Sequence, residues 1–351
     1  MKSTNLHDQY KFKSFQKVGF LICLFSLCIV FLSLDIMTGP SNLSFLTILN
    51  GLISPESLST TDRIILWDIR LPDALIAILI GSALGLAGIE TQTGLNNPLA
   101  SPFTLGISSA AVLGASCAIV FANVFTNNIP FLPASILVPA LSLVFALIAS
   151  LLIISCTAFQ SGSKNTIILF GVAIMFLCNA LTSLLQYVAS AEAVQQIVFW
   201  TIGNLTKAGW PEVIIVSIIF IITLPFSLRN IWIMTLLRSG ENQATSIGLN
   251  IERYRLLMIL RVSVLTAFSV CFVGTIGFIG LVGPHIARLI LGEDHRFLLP
   301  GACLCSAVIL SFASLLSKTL MPGILIPVGI ITSFIGVPIL IALIFTRGQR
   351  L

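Results

Sequence analysis

The chain has 351 residues, 57% of them hydrophobic and only 9% charged, with a formal net charge of +5. Soluble domains carry about 25% charged residues, so a water-soluble fold is excluded and lipid must be the solvent for most of the chain. The Lys and Arg residues are scattered between apolar runs rather than pooled in one patch, which excludes a nucleic-acid-binding surface.

A basic leader, 1–17, contains Lys2, Lys11, Lys13 and Lys17. The apolar run after it is long and lacks a small-x-small cleavage site, so it reads as a retained span rather than a signal peptide. About ten spans are expected at the usual length of roughly 20 residues: 18–38, 74–93, 104–124, 132–159, 166–189, 211–228, 256–275, 278–291, 297–319 and 325–346. The eighth is too short to cross alone at full thickness. With the N-terminus in the cytoplasm, fourteen of the eighteen Lys and Arg residues fall inside. Only Arg63, Arg70, Lys207 and Lys318 fall outside, as the positive-inside rule requires. Without the eighth span, Arg347 and Arg350 would change sides. The expected organisation is the leader, one transmembrane domain over 18–346 and a cytoplasmic tail, 347–351.

Between the first two spans lies an outer loop, 39–73, with a short helix expected in it. It ends in a charged elbow, Arg70-Leu71-Pro72-Asp73. Span two carries Gly81, Gly85 and Gly88 at helical spacing. Small residues there let helices approach closely in lipid; the spacing suits tight packing, or a helix that shifts during a cycle. Glu90 and Gln92 sit near its inner end beside Thr91 and Thr93, where polar groups are costly. Pro98 and Pro102 forbid a continuous helix. Asn96 to Pro102 is therefore a turn at the inner face, either a plain connection or a gate formed by Asn96 and Asn97.

Span five carries Asn179, Thr182, Ser183 and Gln186. Asn179 alone reads as a helix-to-helix hydrogen bond; the two polar clusters together read as a hydrated pathway. Residues 191–203 pattern as a short amphipathic helix near the outer surface. The inner loop, 229–255, is large enough to engage a partner. No repeat of 20–50 residues and no attached soluble domain is visible. There is no ladder of buried acids, as a proton-driven carrier needs, and no run of arginines.

The eight cysteines lie in or beside apolar runs without CxxC spacing and read as packing residues. No GK[ST] triplet, HExxH or GxSxG occurs. His7, His285 and His295 are dispersed. The chain therefore shows no catalytic constellation, no metal site and no ATPase motif of its own.

Several segments in fixed order carry a resemblance. They are Arg70-Leu71-Pro72; Asn97-Pro98-Leu99-Ala100-Ser101-Pro102 with Leu105-Gly106-Ile107-Ser108-Ser109; Phe199-Trp200-Thr201-Ile202-Gly203; and Ala244-Thr245-Ser246-Ile247-Gly248. After them come Ile276-Gly277-Phe278-Ile279-Gly280-Leu281-Val282-Gly283-Pro284-His285-Ile286-Ala287-Arg288; Asp294-His295-Arg296; and Pro327-Val328-Gly329-Ile330. The chain resembles, over about 60–346, the permease subunit of binding-protein-dependent ABC importers for iron–siderophore complexes, haem and vitamin B12. The resemblance implies an all-α membrane protein of about ten transmembrane helices, with the type II importer architecture, in a bacterial inner membrane. It implies a second permease subunit, two cytoplasmic ATPase subunits that bind ATP and magnesium, and a periplasmic or lipid-anchored substrate-binding protein. It also implies roles. Glu241, Ala244, Gly248, Glu252 and Arg253 couple to the ATPases. Arg63, Arg70 and Lys318 meet the binding protein through exposed pairs. Glu90, Gln92, Asn96, Asn97, Asn179 and Gln186 line or gate the pathway. Lys318 stands where the family often has Arg, and Asp73 stands where a basic residue is common. The expected cargo is a ferric siderophore, with haem or cobalamin as the alternative on the same machinery. An ion-coupled secondary carrier is the alternative of a different class.

Overall fold

A computed structural model describes residues 6–39, 41, 44–122, 124, 134–159, 163–321 and 323–348. Residues 1–5 of the leader and 349–351 of the tail lie outside these. So do parts of the expected third and fourth spans, and residue 322. Among the described residues every regular element is helical. The first half contains α1 (Leu6–Met37), α2 (Phe45–Ile53), α3 (Thr60–Arg63), α4 (Leu71–Gly94), α5 (Ile107–Val120), α6 (Ala134–Phe159) and α7 (Lys164–Val188). The second contains α8 (Ala191–Ile202), α9 (Trp210–Arg229), α10 (Ile231–Ser239), α11 (Glu241–Ser246), α12 (Ile251–Val273), α13 (Ile279–Leu291), α14 (His295–Thr319) and α15 (Val328–Gly348). Among the described residues, seven helices are long and apolar enough to cross a membrane. The shorter apolar α5, α13 and α15 occupy three more of the expected spans.

One helix is the axis of the bundle. In the apolar window containing α4, 83% of residues are buried, against 22% for α1 and for α9. Its small residues explain why. A Cβ at Gly81 would stand 2.7 Å from the Ala307 backbone, and one at Gly85 would stand 2.5 Å from the Ala302 carbonyl. At Gly88 a Cβ would run into the Gly280 carbonyl. The glycine spacing read from the sequence thus seats α14 and α13 against α4 at backbone distance, the packing that lipid favours.

The charged elbow expected at Arg70-Leu71-Pro72-Asp73 is not an elbow. One continuous helix runs from Thr60 to Gly94, and its Ile64–Arg70 stretch is π-helical. The Leu71 N–H bonds to the Leu66 carbonyl, five residues back. Pro72 has no N–H to offer the carbonyl five before it, that of Trp67. The Trp210 indole N–H supplies that bond instead, at 2.7 Å. A π-bulge lets the proline ride inside a helix it would otherwise break.

The Asn96–Pro102 connection also differs from expectation. Only its first residues turn at the end of α4, with Asn96 in left-handed backbone (φ 46). The chain then climbs back into the bundle. Ala100, Ser101 and Leu105 are buried, and Pro102 approaches the place where Gly280 packs against the Leu84 carbonyl, halfway along α4. For this reason α5 begins only at Ile107 and has 14 residues, not the full span expected from 104. The short α13 arises in the same way, from an unwound stretch at Gly274–Phe278.

Candidate functional site

Three interruptions of regular backbone meet beside the middle of α4. They are the end of α8 at Gly203, the unwound stretch between α12 and α13, and the start of α15. Gly203 and Gly274 both have φ 79 and lie against each other. The Asn204 N–H donates to the Val273 carbonyl at 2.7 Å. The Thr275 hydroxyl donates to the Thr201 carbonyl at 2.6 Å. Gly329 meets the Ile202 carbonyl where a side chain would not fit, and the Ser317 hydroxyl donates to the Ile326 carbonyl. Phe278 is the second non-glycine residue with positive φ (66), and its ring occupies the space that Gly336 leaves open.

Non-helical backbone at membrane depth is tolerated only where protein buries it or a cavity is lined by it. Here it lines a cavity of about 640 Å³. Phe103, Phe278 and Phe334 give it aromatic faces, and Thr201, Thr275 and Ser333 give it hydroxyls. Among the described residues, no Asp, Glu, Lys, Arg, His or Cys lines it. Among the described residues no group of three or more His, Cys, Asp or Glu could hold a metal ion. The cavity can pack a bulky amphipathic molecule and hydrogen-bond it weakly.

These lining residues were absent from the pathway set read from the sequence, although three of the family segments contain some of them. Their signal was the recurrence of glycine at Gly203, Gly274 and Gly329 inside apolar runs, which marks close backbone approach. The pathway residues that were expected are dispersed. Glu90 and Gln92 have no exposed surface. The Glu90 carboxylate accepts from Arg261 Nε at 3.0 and 3.1 Å, and Gln92 donates to the Leu281 carbonyl at 3.2 Å. Both polar groups join helices within the bundle. Asn179 is exposed and Gln186 half-buried on the flank of α7. Asn97 caps the turn by accepting from the Leu99 N–H, and exposed Asn96 accepts from Arg238 at 3.1 Å.

At that same end, loop 229–255 packs as α10 and α11. Glu241 bridges Arg255 at 2.7 Å and Lys164 at 3.3 Å, while Arg255 Nε donates to the Gly94 carbonyl at the end of α4. Burial pushes the Glu241 carboxyl up, but Arg255 and Lys164 together outweigh it and hold the group below its ordinary value. Ala244 is fully buried. Gly248, Glu252 and Arg253 are exposed, so α11 and the turn after it present a polar face anchored from behind.

At the opposite end, Arg63 is exposed as expected. Arg70 and Lys318 are not. Arg70 is 4% exposed and caps the end of α1, donating to the carbonyls of Ile36 (3.0 Å) and Met37 (3.2 Å) and to Ser41. The Lys318 ammonium sits 2.9 Å from Asp35 and 2.6 Å from Asp73. The exposed docking pairs expected at these two positions are therefore buried links among α1, α4 and α14. Asp73, which departs from the resembled pattern, pairs with Lys318, the other departure.

The profile of the FecCD transport family matches residues 27–346. The hemin transport system permease protein HmuU of Yersinia pestis is 34% identical over 95% of this chain and 96% of its own length. The vitamin B12 import system permease protein BtuC of Vibrio vulnificus is 31% identical over 82% of this chain and 85% of its own. Among solved structures, an inward-facing conformation of a transporter of the metal-chelate ABC type superposes with a TM-score of 0.79 at 26% identity. It covers 94% of this chain and 99% of that one.

Proposed function

The chain belongs to the FecCD transport family, and from that premise we propose that it is the membrane-spanning half of an importer for ferric siderophores. The observation that carries this reading is the uncharged cavity of about 640 Å³ where the interrupted helices meet. A metal that arrives fully coordinated needs no ligand from the protein, only apolar faces and a few hydroxyls. In this proposal two permease subunits face each other across the pathway. The end bearing α10 and α11 is cytoplasmic, and two ATPase subunits grip its exposed polar face. The Arg63 end meets a periplasmic or lipid-anchored binding protein. ATP closure of the ATPases then alternates access to the cavity, and this chain hydrolyses nothing itself. A second reading keeps the machine and changes the cargo to haem, which the 96% coverage of the hemin permease favours.

The test is uptake into vesicles holding the complete transporter, with radiolabelled ferric trihydroxamate, ferric catecholate, haemin and cobalamin offered in turn. ATP-dependent uptake of a ferric siderophore is the expected result, and uptake of haemin alone would replace it with the second reading. Ser333→Trp, which fills the cavity, should cut uptake at least tenfold while the protein remains in the membrane. Uptake driven by a proton or sodium gradient without ATPases would remove the importer reading altogether.

A further inference from the structure

Loop 229–255 must act on whatever closes the pathway, and the structure places α10 on the very turn that ends α4. The Arg238 guanidinium, on the last turn of α10, donates to the Asn96 side chain at 3.1 Å. The same guanidinium grips Glu293 with Nε at 3.1 Å and a second nitrogen at 2.6 Å, and Glu293 also pairs with Arg288 of α13 at 3.3 Å. One helical turn back, Thr235 reaches His295, and His295 reaches Thr93 of α4. Thr93 and Asn96 are three residues apart, so both links pull on the same turn.

The proton positions of the inner link follow from its partners. The Thr235 hydroxyl donates to the Ile231 carbonyl at 3.0 Å, leaving its oxygen to accept. It accepts from the His295 backbone N–H at 3.4 Å and from Nδ1 at 3.3 Å. Nδ1 therefore carries the ring proton, and Nε2 is left to accept from the Thr93 hydroxyl at 2.9 Å. His295 has no exposed surface, so the ring is a neutral, directional spacer between the loop and α4. Two features make the joint stiff. Met234 and Leu237, next to Thr235 and Arg238, are buried, and so are Thr93 and His295.

We infer that Arg238 and the Thr235–His295–Thr93 relay are positioning residues that carry movement of the ATPase-facing loop to the Asn96 turn, and so to the re-entrant segment that leads to Phe103 in the cavity. This rests on the proposed function, because it needs a partner that moves α10. It assigns a task to Asp294-His295-Arg296, the family segment with no role so far: to seat His295 at the head of α14.

The test uses the whole transporter in vesicles, with ferric trihydroxamate as probe, or haemin if that is what the unaltered complex carries. The readout is chelate moved per ATP hydrolysed. Asn96→Gly keeps the left-handed backbone and removes the acceptor; Thr93→Val keeps the volume and removes the hydroxyl. Each should lower the ratio several-fold, and the two together more than tenfold, while Asn96→Asp, which still accepts from Arg238, should keep it. A purely structural role would lower the amount of folded complex and leave the ratio alone. An unchanged ratio in the double variant overturns the linkage while the importer reading stands. A purified chain to which no ATPase subunit can attach overturns both.

Discussion

Lys318 has 7% of its side chain exposed and two carboxylates within 2.9 Å. Its charge is spent inside the bundle, with Ser314 donating to Asp35 behind it at 2.9 Å. Removing one partner of such a buried group leaves uncompensated charge, at about 3–5 kcal/mol. Lys318→Met should therefore lower the stability of the detergent-solubilised protein by that amount in thermal unfolding, and adding Asp73→Asn should recover part of it. The sequence showed these residues to be unusual but not that they compensate each other, because 245 positions separate Asp73 from Lys318 and only the fold brings them together. Gly88 was more legible. Its spacing announced a close helix contact, and the Gly280 carbonyl fills the place of its missing side chain. Gly88→Ala should cost about 1–3 kcal/mol by overpacking, measured in the same unfolding assay.

Among the elements, the first part of the helix from Thr60 to Gly94 was read from sequence as an outer loop ending in a charged elbow at Arg70–Asp73. A proline usually ends a helix, and here Pro72 does not. What rescues it is a tryptophan 143 positions away, a partner that no local pattern reveals. Trp210→Phe should leave the Trp67 carbonyl unpaired and cost about 1–3 kcal/mol, with amide exchange rising first around residues 64–72. Loop 229–255 packs as α10 and α11, a division that no local pattern marks. The break falls at Gly240 (φ 130), where glycine is one candidate among several polar residues. Beyond α11, Gly248 has φ 83, and a Cβ there would meet nothing within 4 Å, so substitution acts through the backbone. Gly248→Val should impair uptake more than Gly248→Asn, since asparagine tolerates left-handed backbone. The Glu241 carboxyl titrates below its ordinary value. Its bridges therefore contribute fully above the unfolded value and are lost as pH falls through the lower folded one. Amide exchange over 241–246 should speed up below about pH 4.5, and Glu241→Gln should show the faster exchange already at pH 7.

For the molecule as a whole, composition and charge placement gave the solvent, the helix count and the order of the spans. The family segments gave the architecture that the comparison with solved structures shows. Less legible was depth. Apolar runs do not say where along a bilayer normal a helix starts, so the third span was expected from 104 whereas α5 begins at Ile107, and nothing placed the start of the short α13 beside Leu84 and Gly88. The cavity they help to form was invisible for the same reason.

The unbroken helix from Thr60 to Gly94 has 35 residues, roughly 50 Å at the usual rise per residue, whereas the oily slab is about 30 Å thick. A rod of that length protrudes well past the acyl chains, carrying Arg63 at its tip and Thr93 at its foot. Anything that leans on the tip tilts the foot without a hinge between them. On the proposed function, news of a loaded carrier arriving on one side of the bilayer would reach the motor on the other as plain leverage.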